Sequence, residues 1–396
     1  MAIDFPAEGA ALLPDLVELR RTLHQIPELG NELPLTQSEV LSALDGLPLE
    51  ITLGRSVSSI TAVLRGGKPG PVVLLRGDMD ALPLHEESGE EFASANGRMH
   101  ACGHDLHTAG LVGAARLLAA QRDELPGSVV FMFQPGEESP GGAQPMIAEG
   151  LLDAAGDRPI AAYGIHVGPG PLGEFATRPG TMLAGVNDLH VVFRGVGGHG
   201  SAPHLAQDPV PAALEFGTAI QSLVTRRFSV FDPVVATVTQ LQAGTAVNII
   251  PDTATVGATV RTLSKDSTAR FGPLVTELAE GIAAAHGVSA EVDWVEHYPV
   301  TVNDDAEADF ALRTLSAEFG AARVITAPDP LMGSEDFSFV LEEVPGCFLF
   351  LRCTPADTDL ETAPNNHSAH IRFDDSVLGD QAAALAQLAY ERLRAG

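Results

Sequence analysis

The chain has 396 residues, 45% of them hydrophobic and 19% charged, which is enough for two or three domains with packed cores. Fifty-two acidic against 23 basic side chains leave a net charge of −29, a surface that repels nucleic acid and anionic membrane and argues against both as partners. No apolar run approaches the ~18 residues of a membrane helix. The opening Met1-Ala2-Ile3-Asp4-Phe5 has no basic leader, and three cysteines do not make a disulfide framework, so a reducing cytoplasm is the expected compartment.

Residues 12–46 read as helical, with a turn at Ile26-Pro27-Glu28-Leu29-Gly30. Pro71–Leu75 reads as a buried strand, Thr108–Gln121 as an alanine-rich helix, Ser128–Phe133 as a strand, 143–149 as a helix and Ala161–Ile165 as a third strand. The alternation predicts a mostly parallel sheet with helices on both faces. The Gly/Pro-rich stretch 164–180 is a candidate linker. Strands are then expected over 188–193, 234–241, 254–262 and 290–295, and helices over 209–226 and 267–286. That order is β-α-β-β-α-β, the split βαβ pattern, and predicts an inserted α+β lid or dimerisation domain over 185–295. The remainder, 1–184 and 296–396, forms one discontinuous catalytic domain that ends with helix 305–319, strand 347–352 and helix 375–394. Cys347 and Cys353 flank that strand; six extended residues span ~20 Å, too far for a disulfide.

Polar clusters follow these strands. Cys102 and His104 lie in the loop before helix 108–121, and thiolate with imidazole suits a borderline metal such as zinc. The same pair could serve a thiolate nucleophile. Asp78 and Asp80 follow the first strand, where they read equally well as helix caps or turn formers. Glu137-Glu138 stands beside a Pro-Gly turn directly after a buried strand. Two adjacent carboxylates there repel each other, and a cation would relieve them and let them take different tasks. His166 closes strand 161–165, and His367 lies in Asn365-Asn366-His367-Ser368-Ala369-His370. In open α/β sheets such groups collect at the carboxyl ends of the strands.

These motifs, in order, resemble the dinuclear-metal amidohydrolases of the aminoacylase/carboxypeptidase superfamily, in the branch of hippurate hydrolases, N-acyl-amino-acid amidohydrolases and auxin-conjugate hydrolases. The resemblance runs through LHQIPELGNEL, LLRGDMDALPLHE, MHACGHDLHTAGLVGAA, VFMFQPGEESPGGA, GIHV, GVGGHGSAPH, AVNIIPD, VRT, GSEDFSFV and NNHSAH. It implies two divalent metal ions per chain (zinc, manganese, cobalt or nickel) on Cys102, His104, Glu138, His166 and His367. It implies Glu137 as general base and Asp80 as the carboxylate supporting the site. It also implies His199, Asn248 and Arg261 of the inserted domain as contacts for a small-molecule N-acyl amino acid, with closure of that domain over the site and a dimer or tetramer. Leu106 replaces the family's usual glycine, and Asn365-Asn366 and Ala369 vary the surroundings of His367, which leaves His370 as the alternative last ligand. The implied activity is hydrolysis of N-acyl amino acids at the amide bond, with a dipeptidase or carboxypeptidase using the same metals as the alternative. A cysteine-nucleophile hydrolase and a non-catalytic binding protein are the remaining rivals.

Overall fold

The computed structural model describes residues 3–396, which divide into two compact units. The first comprises residues up to 180, 302–328 and 339–396; the second comprises 181–301 and 329–338. The sequence reading leaves 329–338 with the first unit. Backbone bonds explain the difference: Ala184 N–H donates to Leu331 and Gly333 carbonyls, and Leu331 N–H donates to Met182.

The first unit opens with helix α1 (Phe5–Gln25) and helix α2 (Pro34–Leu44). An eight-stranded sheet includes β1 (Leu49–Leu53), β2 (Ile60–Arg65), β3 (Lys68–Asp78), β4 (Pro126–Gln134), β5 (Ala161–Gly168) and β6 (Phe175–Thr177), together with Val324–Thr326 and Gly346–Arg352. Its order is β1-β2-β4-β3-β5, then Gly346–Arg352, β6 and Val324–Thr326. The centre, from β4 through β3 and β5 to Gly346–Arg352, is parallel, whereas β1, β2 and the β6 junction pair antiparallel. The fold is therefore α/β with a mixed sheet whose parallel core matches the expectation. Every residue from Val72 to Asp78 is buried, so both faces of β3 are covered, as parallel strands require. The stretch 164–180 is no free linker: its first five residues belong to β5 and three more form β6.

From β3 the chain crosses to β4 on one side and then returns to β5 on the other. The carboxyl ends of β3 and β5 thus meet at a topological switch point, where a crevice forms. Helix α3 (His104–Ala120) makes the first crossing. It starts at His104, four residues before the sequence reading places it, because its first turn is buried all round and shows no amphipathic period. Gly103, at φ +83°, makes this start possible; a Cβ there would lie 2.3 Å from Val167 Cγ2.

The second unit holds a four-stranded antiparallel sheet of Gly185–Arg194, Val234–Ala243, Thr253–Thr262 and Ser289–Tyr298. Numbered along the chain, these strands lie in the order 2-3-1-4, the arrangement of a split βαβ unit. Helices Val210–Arg227 and Lys265–Ala285 supply Phe216, Ile220, Phe271 and Val275 to its core.

Helix α1 is fastened to the first turn of α3 by buried charges. Arg20 Nε donates to Asp105 Oδ2 at 2.7 Å, and His24 Nδ1 lies 2.8 Å from the same oxygen. His24 Nε2 meets Glu86 at 3.0 Å. Burial would lower the His24 pKa, but Asp105 and Glu86 raise it overall. Burial would raise Asp105 and Glu86, but their cationic partners hold both below the usual carboxylate range. Removing the shared carboxylate with Asp105→Ala leaves two buried cations without their acceptor and is expected to cost about 3–5 kcal/mol in urea denaturation. The carboxylates contribute stability above their unfolded pKa of ~4 and lose it as pH falls; His24 contributes fully below ~6.5 and loses it as pH rises through its raised value. The Tm gap between wild type and Asp105→Asn is therefore expected to be widest at about pH 5–6.5. A gap that keeps growing on either side of that window contradicts this account of the brace.

Candidate active site

Asp78 and Asp80 stand two residues apart at the end of β3, so an extended chain points both the same way. Asp80 is fully buried and ties the site together. Its Oδ1 accepts the Glu137 N–H at 3.0 Å and its Oδ2 the Glu138 N–H at 3.1 Å. His104 Nδ1–H donates to Asp80 Oδ1 at 3.3 Å, leaving Nε2 for another partner. Burial raises the Asp80 pKa, helped by the charges of Asp78 and Glu138 and opposed by His104.

Three segments bring donors to this carboxylate's neighbourhood. Cys102 and His104 come from the turn into α3, Glu138 from the turn after β4, and His166 from β5. His367 arrives from the C-terminal loop, its backbone at φ +70° and its N–H bonded to Ala101 O at 2.9 Å. A non-glycine residue in the left-handed region costs free energy and persists only where its surroundings impose it.

Cys102, His104 and His166 each offer one donor atom, all within 4.8 Å of one another; so do Cys102, Glu138 and His367, and also His104, Glu137 and Glu138. His166 Nε2 is 3.4 Å from Cys102 Sγ while its Nδ1–H donates to Val167 O at 2.6 Å. His367 Nε2 lies 3.0 Å from Glu138 Oε1. His370 is elsewhere, against the Glu87 carbonyl at 3.2 Å and its carboxylate at 3.5 Å.

Cations fit this set. His104 Nε2 is fully buried with no hydrogen-bond partner. Burial would lower its pKa, yet Asp78, Asp80 and Cys102 raise it well above the ordinary value. The pKa of His367 is pushed up to about 10 by its contacts with Cys102 and Glu138. His166 goes the other way: burial and the neighbouring His107 keep it neutral, the form that ligates a metal. The pocket thus draws positive charge onto imidazoles that a metal ion would otherwise occupy. Sulfur, nitrogen and carboxylate oxygen together make a donor set for a borderline transition metal.

Two residues carry more of the site than the sequence reading assigns them. Val167 N–H donates to His107 Nε2 at 2.8 Å, and His107 Nδ1–H donates to Asp78 Oδ1 at 2.5 Å. Both nitrogens are therefore committed, and His107 fixes β5 beside its neighbour His166. Asp78 also pairs with Arg76 Nη1 at 2.6 Å. Burial would raise its pKa, but Arg76, His104 and His107 hold it well below the usual range. The i, i+3 spacing of His104 and His107 signals a shared helix face once α3 is known to begin at His104.

The second unit carries the other three expected residues. His199 is exposed, on a short strand paired with Ile249–Ile250. Its Nδ1 accepts from Ser201 N–H at 3.1 Å, which leaves Nε2 to carry the proton of the neutral ring. Asn248 is exposed and its carbonyl accepts the Gly200 N–H. Arg261 is half-buried on Thr253–Thr262 and donates to Thr259 Oγ1 at 2.7 Å.

Such a site, at the switch point of an α/β sheet, defines a metal-dependent hydrolase, and comparison with known proteins agrees. Residues 74–391 match the Peptidase family M20/M25/M40. The chain is 36% identical to thermostable carboxypeptidase 2 of Saccharolobus solfataricus over 380 residues, 94% of each chain. It is 36% identical to the N-acetylcysteine deacetylase of Bacillus subtilis over 339 residues, 85% of this chain and 87% of the other. Among solved structures it resembles a dinuclear metal-binding peptidase of the M20 family from Bacillus subtilis, with TM-score 0.84, 31% identity and coverage of 97% and 99%. The chain belongs to Peptidase family M20/M25/M40 and is a metal-dependent amidohydrolase, the family its motifs resemble.

The three thiols are free and differ in setting. Cys347 and Cys353 are fully enclosed; burial pushes the Cys347 pKa up to about 12, and raises that of Cys353 as well. Cys102 retains 8% exposure. With native protein held in chelator, iodoacetamide is expected to label Cys102 alone, added metal to protect it, and unfolding to expose all three. Equal labelling of Cys102 with and without metal contradicts a ligand role.

Proposed function

We propose that the protein hydrolyses the amide bond of N-acyl amino acids, hippurate-like or N-acetylated, releasing a carboxylic acid and a free amino acid. The observation that carries this reading is the fastening of Glu137 and Glu138, side by side, to the two oxygens of Asp80. Their backbones are held alike while their carboxylates differ: Glu138 joins Cys102 and His367, and Glu137 stands 4.0 Å from His104 Nε2. Similarity to the N-acetylcysteine deacetylase supports the acyl-amino-acid substrate. Similarity to the carboxypeptidase supports the second reading, dipeptides or C-terminal residues cleaved at the same site.

In this reading Cys102, His104, Glu138, His166 and His367 hold two divalent cations, zinc, manganese, cobalt or nickel. Bound there, they would polarise the scissile carbonyl and make water a stronger acid. Glu137 takes the proton of the attacking water and delivers it to the leaving nitrogen. Asp80 keeps His104 Nε2 turned toward the cluster and holds the Glu137 backbone in place. The Nε2–H of His199 suits an oxyanion donor, and the guanidinium of Arg261 with the amide of Asn248 suits the substrate carboxylate. A homo-oligomer, dimer or tetramer, is supported by the edge strand Val234–Ala243, whose Val235 and Leu241 are exposed. The expected compartment is the cytoplasm; among the described residues no helix is long and apolar enough to cross a membrane.

Glu137→Gln is expected to keep wild-type metal content while kcat falls about 10²–10⁴-fold or more; near-normal turnover rules out Glu137 as the base. Cys102→Ala should instead lose metal. A panel of hippurate, N-acetyl amino acids and dipeptides separates the two substrate readings: N-acyl amino acids are expected to give the higher kcat/KM, and a preference for dipeptides reverses the assignment.

A further inference from the structure

The residue before the last expected ligand departs from the family's usual surroundings and has no part in the chemistry above. Asn366 is half-buried and reaches back from the C-terminal loop into the donor cluster. Its side-chain Nδ2 lies 3.5 Å from Cys102 Sγ, 3.5 Å from Cys102 O and 3.4 Å from Val167 O. All three neighbours are acceptors. A rotated amide would set Oδ1 against two carbonyl oxygens and a sulfur, so the amide must present its N–H groups here. Those neighbours belong to the Cys102 turn and to the residue after His166, while Asn366 itself is bonded in sequence to His367. One amide therefore touches or adjoins three of the segments that carry donors. The left-handed backbone at His367 and its N–H bond to Ala101 O hold the loop on the same turn.

We propose that Asn366 is a positioning residue for the metal cluster: its amide N–H donates to the Cys102 thiolate and staples the turn, β5 and the C-terminal loop around it. The proposal rests on the reading of Cys102 as a metal ligand. A hydrogen bond to a ligating thiolate draws electron density from sulfur, which lowers its donation to the metal and leaves the metal a stronger Lewis acid. It also fixes the direction of the sulfur lone pairs, as outer partners do for ligating imidazoles.

The test uses the full chain loaded with cobalt(II), whose thiolate-to-metal charge-transfer absorption reports on the sulfur directly. In Asn366→Ala the sulfur, freed of the hydrogen bond, donates more strongly and the band is expected to move to longer wavelength, while loss of the staple that positions the turn outweighs that gain and is expected to weaken cobalt binding about 10–100-fold. Asn366→Asp sets a carboxylate against the same three acceptors and is expected to weaken binding further. Circular dichroism and Tm near wild-type values exclude a folding defect as the cause of either change. Cys102→Ala serves as the reference and should abolish the band. If Cys102→Ala abolishes it while Asn366→Ala leaves band and affinity unchanged, the thiolate ligand stands and the role of Asn366 is overturned. A wild-type protein that binds cobalt without any such band overturns the thiolate ligand itself, and the proposal with it.

Discussion

The buried carboxylate of Asp80 is the constraint on which the site depends. It accepts two consecutive backbone N–H groups, those of Glu137 and Glu138, and the Nδ1–H of His104. An ionised carboxylate buried this deeply is costly unless its lone pairs are filled, and here the donors that fill them are the backbones and ring of the working residues. One interaction thus sets the tautomer of His104 and the position of two neighbouring carboxylates. The arrangement needs Asp80 at the end of β3 and the Glu137-Glu138 turn at the end of β4, adjacent parallel strands that finish on the same side.

Behind that carboxylate the protein gathers charge in alternating layers. Asp78 is held by Arg76 on one side and by His107 on the other, and His107 in turn receives the Val167 N–H next to His166. Arg20 and His24 hold Asp105, the residue after His104. Buried ion networks of this kind add little net stability against apolar packing, but loss of one member is expensive. Their value here is registry: each fixes a backbone segment that presents a donor. The LHQIPELGNEL motif, which has no chemical task in the resemblance, acquires one as this brace, with Glu28 further bonded to Thr36 at the start of α2.

Much of this was legible in the sequence, and the exceptions have physical causes. Strands β3, β4 and β5 read clearly because both their faces are buried and their apolar runs are unbroken. Strand β1 carries no such signal: its Ile51 and Leu53 remain exposed at the sheet edge, so no core imposes a pattern there. The start of α3 carries no periodic signal, because His104, Asp105, Leu106 and His107 are all buried, which erases the amphipathic period. Leu106, a departure from the family pattern, fills the core beneath that turn. Glu137-Glu138 was legible from its place after a buried strand. The second tasks of Asp78 and His107, and the contact of Asn366 with Cys102, join residues far apart in the chain, and no local spacing announces them. The preference for His367 over His370 likewise depends on loop geometry, in which His370 turns toward Glu87.

The central claim is that the Cys102 thiol holds metal and leaves proton transfer to Glu137. X-ray absorption at the edge of the bound metal tests it most directly. The account predicts a sulfur scatterer at about 2.3 Å among the nitrogen and oxygen neighbours, absent in Cys102→Ser. A first shell of nitrogen and oxygen alone in the active wild-type enzyme would contradict it.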